Sequence, residues 1–231
     1  MRGIKMSSEL DVISELELGH VLFIDVVGYS KLPSNEQREI QRQLSQIVRG
    51  TEYFRAAETA GKLIRLPVGD GMALVFFNSH DAPVRCALEI SETVGLALKL
   101  RMGIHSGPVS TVTDVNDRSN VAGAGINIAQ RVMDCGDAGH ILLSKQNAED
   151  LAQHSEWQPC LQELGEVEVK HGVRVALANF LATVSAIPSH PVRSFEQNRS
   201  GAEGFYSGFR PSCYFCSASQ SALGSGRAAP L

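Results

Sequence analysis

A chain of 231 residues with 43% apolar and 20% charged residues is sized for one ordinary domain with an appendage. Its formal net charge of −4 gives no electrostatic reason to expect a nucleic-acid or anionic-membrane partner. No apolar run approaches the roughly 20 residues that span a bilayer, and MRGIKMSSELD lacks the apolar segment of a secretory signal, so a cytoplasmic location is expected.

Residues 1–19 form a polar lead-in, with a short helical period through Leu10, Ile13 and Leu16. His20 to Ser30, HVLFIDVVGYS, is a near-continuous apolar run interrupted by one carboxylate, Asp25. Such a run predicts a central strand, His20 to Val27, covered on both faces. A charge inside it is expensive unless something pairs with it. Gly28 turns the chain and leaves backbone N–H groups pointing outward, which places a cation ligand beside a phosphate cradle. Ser34 then suits a helix N-cap, and Ile40, Leu44, Ile47, Val48, Thr51 and Phe54 predict one long amphipathic helix to about Ala60, closed by Gly61.

Lys62 to Phe77 predicts a hairpin turning at Gly69-Asp70-Gly71, with Pro67 marking a bulge or an edge. A second helix is expected from Asp81 to Lys99. Leu100–His105 and Val109–Val115 are expected as two strands joined at Ser106-Gly107-Pro108. GAGINIAQRVMD predicts a helix with Asn127 and Arg131, four apart, on one face. A short strand, His140 to Ser144, and a short helix, Lys145 to Ala152, follow. A terminal hairpin, Leu161–Val169 and Arg174–Leu181, turns at Lys170-His171-Gly172. Beyond it Ser, Gly, Pro and Ala dominate without a period. The expected division is a lead-in 1–19, a domain 20–182 and a mostly disordered tail 183–231. The element order predicts an α+β fold, a ferredoxin-like βαββαβ core with an added C-terminal strand hairpin and helices packed on one face of the sheet.

In such a sheet the first strand and the hairpin are neighbours, so Asp25 and Asp70 can converge. Each alone reads more simply, Asp70 as a turn residue and Asp25 as a paired core acid. Together, each near a glycine, they favour a hard divalent cation such as Mg²⁺, with substrate phosphates completing its ligands. Asn127 and Arg131 could hold a ribose oxygen and a phosphoryl oxygen, although their spacing alone favours a solvated helix face.

FIDVVGYS resembles the opening motif of the class III nucleotidyl cyclases, the adenylate and guanylate cyclase catalytic domains. LPVGDGMALVF resembles their second metal motif, RMGIHSGPV their central strand pair, AGAGINIAQRV their G-x-x-x-N-x-x-x-R motif and HILLS the strand after it. The resemblance runs from about His20 to Phe180. It implies a lyase that converts ATP, or GTP, to a 3′,5′-cyclic nucleotide and pyrophosphate for intracellular signalling. Asp25, Asp70 and the Ile24 carbonyl would hold two Mg²⁺ or Mn²⁺ ions per site. The N–H groups of Val26, Val27, Gly28 and Tyr29, with Lys170, would hold the phosphates. Asn127 would orient the ribose, and Arg131 would stabilise charge on the α-phosphate. The family joins the two halves of its site across a dimer interface, and this chain carries both halves, which implies a homodimer with a nucleoside triphosphate as the small-molecule partner.

Two base-selecting positions depart from the adenylate cyclase pattern. Leu66 stands where a lysine is common, and Asn120 where an aspartate is usual. A missing hydrogen bond in a desolvated site costs about 1–3 kcal/mol, so weak base selection or a catalytically weak or silent nucleotide-binding domain is the alternative expectation. ATP is favoured on the resemblance. GAGINI lacks the third glycine of a dinucleotide fingerprint, no P-loop is present, and a strand-end His105 reads as structural. The odd total of five cysteines is no disulfide framework, and Cys213-x-x-Cys216 lacks the second pair of a zinc site.

Overall fold

The computed structural model describes residues 16–95, 97–113, 119–169 and 172–181. The lead-in up to residue 15, the tail beyond residue 181 and Lys170 lie outside them. β1 (Leu16–Val26) begins four residues before the expected His20. It is sandwiched between neighbours on both edges, so Val21, Leu22, Phe23 and Ile24 are all buried. Leu22 and Ile24 face one apolar cluster, while Val21 and Phe23 face another, as strand alternation requires. Burying each such side chain stabilises the fold by about 1.5–3 kcal/mol.

After β1 come α1 (Ser34–Gly50), α2 (Glu52–Thr59), β2 (Leu63–Val68), β3 (Gly71–Phe76), α3 (Ala82–Val94), β4 (Leu100–Thr113), β5 (Ser119–Ala122) and α4 (Ala124–Asp134). β6 (Ile141–Ser144), α5 (Lys145–Ala152), β7 (Leu161–Val169) and β8 (Val173–Phe180) complete the described residues. The strands form one sheet in the order β2-β3-β1-β4-β6-β8-β7, with β5 paired to β4. Its first four strands, β2-β3-β1-β4, are the expected βαββαβ core with antiparallel ladders. β6 then adds to β4 in parallel through α4, and the β7–β8 hairpin closes the far edge. No helix among the described residues is long and apolar enough to cross a membrane.

Three local expectations change, and the edge expected at Pro67 holds. The long helix is two helices, because Thr51 is extended (φ −67°, ψ 146°). Its hydroxyl donates to Val48 O at 2.8 Å and lies 3.4 Å from Cys86 Sγ on α3, so a contact distant in sequence sets the break. The second helix ends at Val94, where Gly95 takes φ +50°. Ser106-Gly107-Pro108 is not a turn, since β4 runs unbroken and Pro108 pairs with Leu18 of the early part of β1. Pro67 sits without a register shift on β2, at the sheet edge, where no second neighbour needs its missing N–H.

The helices also do not share one face. Leu44, Phe54, Ile90 and Leu151, from α1, α2, α3 and α5, pack into one cluster under the sheet. Ala129, Val132 and Met133 of α4 pack on the opposite face. A parallel β4–α4–β6 crossover has a fixed hand, which sends α4 to that side.

His20 contacts Ser106 Oγ through Nδ1 at 2.7 Å, and burial, with His80 adding, lowers its pKa below the ordinary 6.5. Burial lowers His105 as well. An unfolded chain takes up these protons below pH 6.5 while the fold resists them, so their stabilising contribution is full above 6.5 and is lost as pH falls. The urea midpoint should therefore drop between pH 7 and pH 5.5, and drop less in His20→Asn. Equal drops in the two proteins would remove His20 from this account.

Candidate active site

The site sits where β1 runs out between β3 and β4. Asp25 is 8% exposed and projects to the α4 side of the sheet. In register with it on β4 stands Arg101, whose Nε donates to Asp25 Oδ2 at 2.7 Å and whose second arm lies 3.7 Å from Asp134 at the end of α4. Sequence reasoning missed Arg101. The available signal was a lone guanidinium in the apolar opening, Leu100 to Ile104, of a strand that pairs with the strand of a buried acid.

The hairpin delivers the second carboxylate. The β1–β3 ladder ends at Ile24↔Met72, and the next residue, Gly71, crosses directly over the Ile24 carbonyl. A Cβ at Gly71 would collide with Ile24 O and come within 3.1 Å of Asp25 Cα. Glycine is thus the residue that lets the turn close on β1. Gly69 at φ +56° makes the two-residue turn, and Gln41 of α1 donates to Asp70 O at 2.9 Å, tying the turn to the helix layer.

Asp70 lies close enough to Asp25 to raise its pKa. Burial pushes the Asp25 pKa up, Arg101 pulls it back in part, and Asp70 adds to the rise. Two neighbouring carboxylates repel unless a proton or a cation lies between them, so a cation would relieve this pair. Hard oxygen donors from Asp25, Asp70 and the Ile24 carbonyl suit Mg²⁺ or Mn²⁺. No group of three or more His, Cys, Asp or Glu side chains converges anywhere among the described residues. A cation here would need its remaining ligands from water or substrate oxygen.

Beyond Asp25 the chain turns at Gly28 (φ +84°) into a short 3-10 turn, Tyr29–Lys31, closed by Lys31 N–H on Gly28 O. The cradle expected from Val26, Val27, Gly28 and Tyr29 is narrower than its sequence suggests. Val27 N–H donates to Lys99 O at 2.8 Å, because the β1–β4 ladder continues one step past β1. Lys170, the remaining phosphate candidate, lies outside the described residues.

Asn127 is exposed and Arg131 half-buried, both on α4. Among the described residues neither makes a hydrogen bond or ion pair with Asp25 or Asp70. The base-selecting positions are also apart. Leu66 is buried in the cluster that contains Val121. Asn120, the neighbour of Val121 on β5, projects to the other face and accepts the Val121 N–H at 2.7 Å. Arg65 cannot replace the missing lysine, since it pairs with Glu58 at 2.9 Å and lies over the Phe54 ring on the helix side of β2.

Residues 72–183 match the family model of the adenylate and guanylate cyclase catalytic domain. Over 105 residues the chain is 31% identical to the uncharacterized protein Rv1359 of Mycobacterium tuberculosis, covering 46% of this chain and 37% of that protein. The match thus spans little more than a third of the length of this relative. Among solved structures, the adenylyl cyclase CyaB from P. aeruginosa is similar at 17% identity, covering 75% of this chain and 98% of that one (TM-score 0.59). The guanylate cyclase domain of RhGC from Catenaria anguillulae, in complex with GTP, is similar at 23% identity, covering 71% and 96% (TM-score 0.57). An adenylate/guanylate cyclase/hydrolase from Silicibacter pomeroyi reaches 26% identity, covering 72% and 98% (TM-score 0.56). Sequence match and fold agree: residues 72–183 match the adenylate and guanylate cyclase catalytic domain, and the described residues share the fold of solved class III nucleotidyl cyclase domains.

Proposed function

We propose that this domain is a working nucleotidyl cyclase, converting ATP first and GTP second to the 3′,5′-cyclic nucleotide and pyrophosphate for cyclic-nucleotide signalling. The observation that carries this reading is the Asp25–Asp70 pair closed against the Ile24 carbonyl by Gly71. Asp25, Asp70 and the Ile24 carbonyl would hold two divalent ions. Such ions, when bound, activate the ribose 3′-hydroxyl and neutralise the triphosphate. The 3′-oxygen attacks the α-phosphorus as the bond to the bridging oxygen breaks, and pyrophosphate leaves.

The chain's own groups bind and orient. Arg101, held by Asp25 without substrate, gains an anionic partner when a triphosphate enters. The N–H groups of Gly28 and Tyr29 lie at the start of a turn, where donors lack internal partners. Asn127 and Arg131 of a second copy would complete each site, orienting the ribose and stabilising charge on the α-phosphate, so the active form is a homodimer.

Apolar Leu66, with the Asn120 carbonyl already engaged, favours a second reading, a weak or silent nucleotide-binding domain. Purified protein incubated with ATP or GTP and Mn²⁺, with the product identified by mass spectrometry, separates the two. Cyclic nucleotide is expected, with specific activity rising with protein concentration as the dimer forms. No product from either nucleotide at any concentration would exclude the enzyme.

A further inference from the structure

A chain of buried and half-buried polar side chains crosses the sheet, and the proposed chemistry does not use it. Its protonation pattern can be worked out from one backbone group. Ser106 N–H can only donate, and it meets the Asn147 side chain at 2.6 Å, so the atom there is the Asn147 carbonyl oxygen. Ser144 Oγ lies 3.0 Å from that same oxygen and must give it its hydroxyl proton. Ser144 Oγ then faces His105 Nδ1, 2.8 Å away, as an acceptor. His105 therefore carries its proton on Nδ1, and its Nε2 is a bare lone pair. Asn147 in turn donates to Ser106 Oγ at 2.8 Å, which reaches His20.

That lone pair points under α4. Gly103, His105 and Gly107 alternate along one face of β4, the face on which α4 lies. The helix is let down onto the strand at two glycines. A Cβ at Gly103 would come within 2.6 Å of Met133 Cα, and one at Gly107 within 3.0 Å of Gly125 Cα. The Gly107 position would also meet His105 Nε2 at 2.9 Å. The imidazole edge and the first turn of α4 thus both border the place that a Gly107 Cβ would take.

We propose that His105 is a positioning residue: as a neutral imidazole protonated on Nδ1 it seats the helix that carries Asn127 and Arg131, and a second proton on Nε2 unseats it. An imidazolium there would set positive charge against the positive end of α4. Val21 of β1 pairs with it in register, Ser144 of β6 meets its Nδ1, and Gly107 and Gly125 border its Nε2, none of them ionisable. Accordingly, burial alone accounts for its lowered pKa among the described residues.

The kinetic consequence rests on the cyclase reading, but the structural one does not, so two measurements on the full chain separate them. Long-range ¹H–¹⁵N NMR should find the His105 proton on Nδ1 at pH 7.5. On acidification the amides of Gly125, Ile126 and Asn127 should shift with the midpoint of that imidazole. A proton on Nε2, or α4 amides that ignore the His105 titration, would overturn the proposal whether or not the protein turns over. His105→Asn keeps an N–H toward Ser144 but cannot titrate. Between pH 7.5 and 5.5 wild-type kcat should fall about tenfold further than that of the variant, the scale of a charge misplaced at a helix end, with KM changed alike in both. Equal falls in kcat would also overturn it. Absence of any cyclic product would sink the cyclase reading and leave the NMR titration to decide this one, as it does if the variant fails to fold.

Discussion

Asp25→Asn should abolish cyclic-nucleotide formation while leaving the metal-free protein at least as stable as wild type at pH 7. The loss follows from the donor set. With Asp25 gone, only Asp70 and the Ile24 carbonyl remain for two cations, and metal-assisted charge stabilisation is worth several kcal/mol, or about a thousandfold in rate. The stability follows from the sign of the pKa shift. Burial and Asp70 raise the Asp25 pKa above 3.8 in spite of Arg101. The folded state is therefore favoured while Asp25 is protonated, and it loses that advantage as pH rises through the raised value. At pH 7 without metal the penalty is present in full. Asparagine removes the charge yet keeps an oxygen for Arg101. Thermal melts in a chelator and a Mn²⁺ assay test both halves. Turnover within tenfold of wild type would remove Asp25 from the metal site, and a melting temperature several degrees lower would overturn the buried-charge penalty.

Gly71→Ala should damage both fold and activity. The added carbon meets the Ile24 carbonyl and the Asp25 backbone rather than a side chain that could swing away. Overpacking of this kind costs about 1–3 kcal/mol or more, and at this chain length 1 kcal/mol moves Tm by about 2–4 °C. Relief can come only by opening the hairpin from β1, which carries Asp70 away from Asp25. Displacement of about 1 Å from a reacting geometry costs about a hundredfold, so activity should fall at least that far. Gly61→Ala is the matched control. It strains a residue at φ +65° but meets nothing within 4 Å, so it should lower Tm modestly and leave turnover intact. Comparable activity losses in the two variants would show that general destabilisation, not the hairpin closure, is responsible.

Local pattern carried much of the fold. The apolar run around Asp25, the D-G turn and the helical periods of α3, α4 and α5 are short-range signals, and the elements stand within a few residues of where those signals put them. Errors arose where one residue type serves two purposes. Ser106-Gly107-Pro108 has turn composition, yet Gly107 is there so that Gly125 can approach. Thr51 fits a helical period, yet a neighbour on α3 holds it extended.

By itself, the amino-acid sequence determined most of the elements in their order and the two carboxylates at a strand end and a hairpin tip, because periodicity and turn chemistry act over a few residues. Tertiary structure alone decided that Arg101 holds Asp25, that Leu66 is sealed in an apolar cluster while Arg65 turns away, and that His105 lies beneath α4. Each of these depends on which strand neighbours which and on which face a helix lands. Those relations come from ladder register and crossover hand, across separations of up to 76 residues for Arg101 and Asp25, where no local pattern reaches.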